Sequence, residues 1–441
     1  MLGVEPTIRV GVLDRCRVVR GRFDGSCLVA GRPVSGFFRS QPLDGLVTLF
    51  DSSGREVAKG REIRCTPEAG ATFTLFDVAV GSRFHWEHKE EQTFGGNLIL
   101  LAGEEGAVTA VNEVGLEAYL SSVVPSEMNP EGPPEFLKAQ AVTSRSWLAA
   151  MLERAAKKGG LHASEGIDRE GETVRWYGRE AHDLFDVCAD DHCQRYRGVA
   201  KVVPARAAAA VEETRGLFLV HEGKVCDARF HKACGGLTEN YENVWEDRAV
   251  PSLSSVSDAR HPFRPVGSED DARRWILSNP AAYCNVTDEE VLRRVLPSSD
   301  LETGRFFRWK VTYTREELEA ILLKKSGVDF GTLRALTPLE RGPSGRIVRL
   351  RIEGSKRSWV VGKELEIRRW LSESHLLSSA FVAGVERDGA GVPSKFILRG
   401  AGWGHGVGLC QVGATVMALK GFKAEEILRH YFRGAELKKL Y

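Results

Sequence analysis

The sequence predicts an α+β protein: a β-rich N-terminal part, a mixed helix and strand core, and an inserted α/β subdomain. Three observations carry this. The first 110 residues hold short apolar runs with two-residue alternation, separated by glycine and polar turns. Helical periodicity starts abruptly at Leu116. Later, helix-start signals alternate with strand patterns. Four stretches follow: 1–110, β-rich; 111–259, first part of the core; 260–375, the inserted subdomain; and 376–441, the C-terminal part of the core.

In TIRVGVL, Ile8, Val10 and Val12 share one face, and LVTLF, FTLFDVAV and NLILL continue the strand pattern. Tyr119, Leu120, Val123 and Val124 follow Leu116 at helical spacing. Pro125 disfavours helix at the residue before it, which places the helix end near Val124. A second helix opens around Pro133 or Pro134, since proline suits a first turn. Its stripe is Leu137, Ala141, Ser144, Leu148 and Met151, with Trp147 beside it. Residues 155–175 read as a polar connection and 196–250 as a β-leaning segment. In the insertion, Thr287 with Glu290 and Thr314 with Glu317 form two expected capping boxes. RIVRLRIEG reads as a strand. The last 45 residues run strand (KFILRG), glycine-rich loop, helix, Gly421 and helix.

Composition narrows the function. The chain has 441 residues, 42% hydrophobic and 27% charged, which suits a soluble globular protein of two or three domains. A formal charge of +1 makes no case for nucleic acid or an anionic membrane. No apolar run reaches the length of a membrane span. The opening MLGVEPTIRVGVLD has neither a basic n-region nor a continuous apolar h-region, so no signal peptide is visible. Nine cysteines are too few for a disulfide scaffold. Cys226 and Cys234 on one strand would lie too far apart to bridge unless the chain reversed between them.

HDLFDVCADDHCQRYRG concentrates His182, Cys188, His192 and Cys193. Two thiolates and two imidazoles suit tetrahedral zinc, and the clustering in a chain poor in both residues favours a metal. If all four coordinate, no position is left for water, and the ion is structural rather than catalytic. A Cys188–Cys193 disulfide is the competing account in an oxidising compartment.

LRGAGWGHGVGLCQVGA sets Gly402, Gly404, Gly406 and Gly408 around Trp403 and His405. The Gly-Lys-Ser/Thr ending of a phosphate loop is missing. What remains is backbone able to take positive φ, with Trp403 offering either a flat face to a sugar or a core side chain in a tight turn. VVPSEMNPEGPP places Glu127 between prolines and beside apolar residues. On residues alone it is an exposed loop acid near a helix start or an acid held at a helix break for chemistry.

VPSEMNPEGPPEFLKAQAVTSRSW, CQRYRG, FHKACGGLTENYENVW and GAGWGHGVGLCQVGA resemble, in order, the recurring motifs of the SpoIID/LytB family. SGRIVRLRIEG and ELEIRRWL are also similar to it, and the likeness covers about residues 105–435. Cys410 stands where many members have serine. The resemblance implies an extracytoplasmic bacterial cell-wall protein. Its sporulation member is a lytic transglycosylase acting on glycan strands stripped of stem peptides, and LytB-type members are amidase enhancers. It implies that Glu127 is the catalytic acid and that His182, Cys188, His192 and Cys193 hold one structural zinc ion.

On that resemblance the expected partners are peptidoglycan glycan strands and, in the enhancer reading, a cell-wall amidase. Lys138 and Arg145 share a helix face; they are assigned to sugar or lactyl-carboxylate binding or to holding the loop, against the ordinary fate of a solvated face. Tyr196, His231, Gly235, Gly236, His405 and Gln411 are further candidates for the glycan site, each with an alternative as a packed or turn residue. Glu113, Glu117 and Asp258 carry no expectation beyond surface charge or local hydrogen bonding.

Overall fold

The computed structural model describes residues 3–80, 88–158, 165–177, 182–190, 192–199, 205–296, 300 and 305–441. The α+β class holds, with about 39% strand and 26% helix. All ten described strands before residue 116 join one eleven-stranded sheet, completed by Val187–Cys188. Its alternation is direct: along Val19–Val29, Val19, Phe23, Cys27 and Val29 are buried while their neighbours face out. Thr7–Cys16 pairs antiparallel with Val108–Gly115, Ile8 opposite Val114 and Val10 opposite Asn112. On its other edge Thr7–Cys16 takes up Val187–Cys188 in parallel, which brings the Cys/His segment onto the sheet.

The helices among the described residues are α1 (Leu116–Glu127), α2 (Pro134–Lys158), α3 (Ala205–Glu213), α4 (Glu269–Leu277), α5 (Glu289–Val295), α6 (Arg315–Ser326), α7 (Glu364–Trp370), α8 (Gln411–Leu419) and α9 (Ala424–Tyr431). The expected stripe of α2 is buried throughout, Trp147 included. The main core runs from the sheet through α1, α2 and α3 to α8 and α9. A second apolar cluster draws on Trp309, Leu318, Leu350, Ile352 and Phe396 and so straddles position 375. Residues 283–307 contribute Tyr283, Cys284, Leu292 and Phe306 to the main core instead.

Four local expectations need correction. α1 runs past Pro125 to Glu127. The proline sits in the last turn, where few residues follow. Val123 and Val124 are fully buried, and roughly 1.5–3 kcal/mol for each such side chain outweighs about 3 kcal/mol for a helical proline. The expected Thr287–Glu290 box is replaced by a simple cap: Asp288, not Thr287, caps α5 through the amides of Glu290 and Val291. The Thr314–Glu317 box is present. The polar connection contains a hairpin, Glu165–Arg169 with Glu172–Trp176, that extends the sheet of Ile347–Gly354 and Ser358–Gly362; its 159–164 part lies outside the described residues. The β-leaning segment holds α3 and only two-to-five-residue strands.

Candidate active site

Glu127 is the last residue of α1, and its C-cap Met128 is extended and fully buried. The turn brings the half-buried Glu127 side chain toward the 192–199 segment, where the Arg195 amide donates to Oε1 at 3.0 Å. Just beyond this contact the segment is fastened once more to α1 and once to its own preceding turn. The Arg197 amide donates to Ser122 Oγ (2.9 Å), and the Tyr196 amide to Ala189 O (2.9 Å). Tyr196 is itself buried, stacked on Tyr119 at 5.1 Å with its hydroxyl on Asn112 Oδ1. Its role is to lock the segment, and it presents no surface to a ligand.

The second support of Glu127 is Lys232. Its Nζ donates to the Glu127 carbonyl at 3.1 Å, pairs with Asp300 at 2.8 Å and lies 5.7 Å from the centre of the Trp403 ring. Trp403 is half-buried, exchanges both backbone hydrogen bonds with Ala233 (2.7 and 3.0 Å) and has Phe306 at 6.2 Å. Glu127, Lys232, Asp300 and Trp403 therefore form one constellation. Sequence reasoning missed Lys232 and Asp300. Lys232 lies inside a quoted motif between buried His231 and Ala233, so its period-two position was the available signal.

His405 and His231 meet at 5.5 Å beside this group, and Val407 ties them together. The Val407 amide donates to His405 Nδ1 (3.1 Å), which leaves Nε2–H to donate to Phe230 O (2.9 Å). His231 Nδ1–H donates to Val407 O at 3.1 Å, and its buried Nε2 has no hydrogen-bond partner among the described residues. Burial first, then nearby charge, lowers both: His231 to about 3, by Arg346, and His405 well below its ordinary value, by His231, Arg229 and Arg346. Both are neutral rings that set the loop.

All four loop glycines take positive φ. A Cβ at Gly402 would come within 2.8 Å of Ala233 O, and one at Gly406 within 2.5 Å of the Arg346 guanidinium. Gly235 and Gly236, also at positive φ, pack against Ala401–Gly402 and the Trp275 ring. Arg346, buried, donates to Gly404 O and Cys234 O, which joins the two glycine segments.

Three candidates lie elsewhere. Arg145 is fully buried and grips Glu117 through Nε (3.0 Å) and Nη2 (2.7 Å), with Leu217 O and Val211 O as further acceptors. It has no surface to offer a sugar, and Glu117 is a core acid rather than a surface one. Lys138 is engaged by Glu213 (2.6 Å) and Glu135 (3.2 Å), tying α2 to α3. Gln411 is buried at the start of α8, bonded to Gln140 at 3.4 Å. Asp258 is also fully buried.

His182, Cys188, His192 and Cys193 do converge, with one ligand atom from each within 4.8 Å of the others. His182 Nε2 is 3.4 Å and His192 Nδ1 3.6 Å from Cys193 Sγ; His192 Nδ1 is 4.0 Å from Cys188 Sγ. A tetrahedral zinc with bonds of about 2.0–2.3 Å needs donor separations of ~3.3–3.8 Å, so the set fits one ion. The Cys193 contact and burial raise the Cys188 thiol far above its ordinary value, a direction that a bound dication reverses. No disulfide joins Cys188 to Cys193.

Fold and site together define an α+β protein whose helix-end carboxylate is anchored beside a Cys/His cluster of metal-ligand type. Residues 104–221 match the family described as Stage II sporulation protein, and residues 239–408 match a domain of unknown function (DUF8618). Stage II sporulation protein D of Bacillus amyloliquefaciens is 25% identical over 74% of this chain and 75% of its own length. An uncharacterized protein of Brachyspira hyodysenteriae is 27% identical over 74% and 67%. A Bacillus subtilis protein called Amidase enhancer is 25% identical over 72% of this chain and 40% of its own length. The segment 104–221 is thus similar to the SpoIID/LytB family, and the relatives so named match about three quarters of the chain, which supports a cell-wall-related function. Among the described residues no helix is long and apolar enough to cross a membrane.

Proposed function

We propose that this chain is an extracytoplasmic peptidoglycan lytic transglycosylase. It cleaves the MurNAc–GlcNAc bond of peptide-stripped strands and leaves 1,6-anhydro-MurNAc ends. The observation that carries this reading is the fixing of Glu127 from two sides, its carboxylate by the Arg195 amide and its carbonyl by Lys232. Ordinary glycoside hydrolysis uses two carboxylates around an external water. Here one acid suffices, because the nucleophile belongs to the substrate. Glu127 gives its proton to the glycosidic oxygen, the C1–O bond breaks, and the muramic C6 hydroxyl closes on C1. The C6 proton returns to the Glu127 carboxylate, and the site is reset.

Trp403 supplies the stacking face for a sugar ring next to Glu127. The four Cys/His donors hold a structural zinc ion, and their closed set leaves binding and orientation as its contribution. The test is direct: purified protein is incubated with denuded glycan strands and the products are read by mass spectrometry. Anhydro-MurNAc ends are expected. Binding without any such product would overturn the reading and select the alternative, an amidase enhancer that binds wall glycan for a partner amidase. That alternative has its own support in the relative named Amidase enhancer.

A further inference from the structure

A second group of ligand-type side chains lies behind Lys232. Cys234, Asp258, Cys284 and Cys410 come from four segments far apart in sequence, and each is at most 2% exposed. One ligand atom from each lies within 4.8 Å of the other three, and Cys234 Sγ is 3.5 Å from Cys284 Sγ. Buried thiols alone are ordinary. A fully buried carboxylate among them is not: uncompensated charge there is costly, and among the described residues no Lys or Arg forms an ion pair with Asp258.

The surroundings are arranged for anions. The Gly236 amide donates to Cys234 Sγ (3.2 Å), and the amides of Cys234 and Gly413 donate to Cys410 Sγ (3.3 and 3.4 Å). The Cys284 amide and the Tyr431 hydroxyl occupy the two Asp258 oxygens at 2.8 and 2.6 Å. Such outer hydrogen bonds are what orient metal ligands. Arg308, donating to Gly235 O at 3.0 Å, adds one positive charge beside the cluster.

We propose that Cys234, Asp258, Cys284 and Cys410 form a second metal centre, a closed structural zinc site separate from the one at His182–Cys193. The donor spacing suits a tetrahedral dication, and three thiolates with one carboxylate favour zinc over harder ions. Each thiol releases its proton as the ion binds. The ion staples the 231–236 segment to α8 and so fixes Lys232 behind Glu127; the site stands whether or not Glu127 is catalytic.

Zinc is counted in the purified chain by elemental mass spectrometry. The wild type is expected to hold two ions per chain. Cys410→Ser and Asp258→Asn are each expected to lose one, and Cys188→Ser with Cys193→Ser to keep one. Any zinc retained by that double variant sits at the second centre, so the variant decides even if Cys410→Ser does not fold. Cobalt bound to it should give the near-ultraviolet thiolate charge-transfer band. One zinc in the wild type, lost entirely in the double variant, would overturn the proposal. An intact mass two hydrogens lighter, with Cys234 linked to Cys284, would equally overturn it in favour of a disulfide.

Discussion

The Glu127 carboxylate is held by the main-chain amide of Arg195, two residues beyond the candidate zinc ligand Cys193. Glutamine at 127 keeps an oxygen to accept that amide but has no acidic proton to give. Glu127→Gln should therefore leave the melting temperature and glycan binding within error and lower anhydro-product formation by roughly 10²–10⁴-fold, the usual span of a general acid. Product formation at wild-type rate in this variant would remove Glu127 from the chemistry.

In the proposed function the same contact links the metal centre to catalysis without any step at the metal. Loss of the ion frees the 188–193 turn, and with it the Arg195 amide and the Arg197–Ser122 bond that fix α1. Cys193→Ser, or extraction by a strong chelator, should release zinc and lower kcat about 100-fold, the scale expected for a misplacement of about 1 Å. Zinc added back should rescue the chelated wild type and not the variant. Zinc release with kcat unchanged would break the link.

Much of this was legible in the sequence wherever the signal is local. α2 declared itself through its apolar stripe, the sheet through two-residue alternation, and the His182–Cys193 group through crowding of scarce residues. Arg145 was misread because a cation at helical spacing looks solvated unless its partner is known, and Glu117 lies on another helix. Cys234, Cys284 and Cys410 have no common spacing, so only the fold brings them together. Lys232 reaches Glu127 through a backbone carbonyl, a contact that no residue pattern encodes. Pro125 misled because a local penalty was weighed without the burial of Val123 and Val124.

The Arg145–Glu117 pair predicts a stability loss in acid. Burial alone raises the Glu117 carboxyl, but its bond to Arg145, the Arg145 charge, Tyr441 and the Gly216 amide together hold it below the usual carboxylate value. A folded value below the unfolded one means that the stabilisation is complete above about pH 4.5 and fades as pH falls further. Arg145→Ala strands a buried carboxylate and should cost about 3–5 kcal/mol in urea denaturation at neutral pH. Arg145→Met with Glu117→Gln should cost less and show a shallower acid slope between about pH 5 and 3. A single variant no less stable than wild type would contradict the pairing.

The paired histidines should act in a higher pH window. His231 and His405 are neutral in the fold, and burial sets both below the ordinary imidazole value, His231 at about 3. The unfolded chain takes up protons near pH 6.5 and the folded chain does not, so their contribution is present above that pH and is lost as pH falls below it. Each contributes a slope of up to about 1.4 kcal/mol per pH unit, and the lowered His375 and His430 add to it. Urea midpoints should therefore decline as pH falls below about 6.5, ahead of the carboxylates that the fold holds below their ordinary value, such as Glu117. His405→Gln, whose amide can still donate to Phe230 O and accept from Val407, should remove about one histidine's share of the slope. A wild-type midpoint that stays constant from about pH 7.5 to 5 would mean that the pair is charged in the folded state. It would also undo the tautomer assignment, because a doubly protonated His405 has no lone pair with which to accept the Val407 amide.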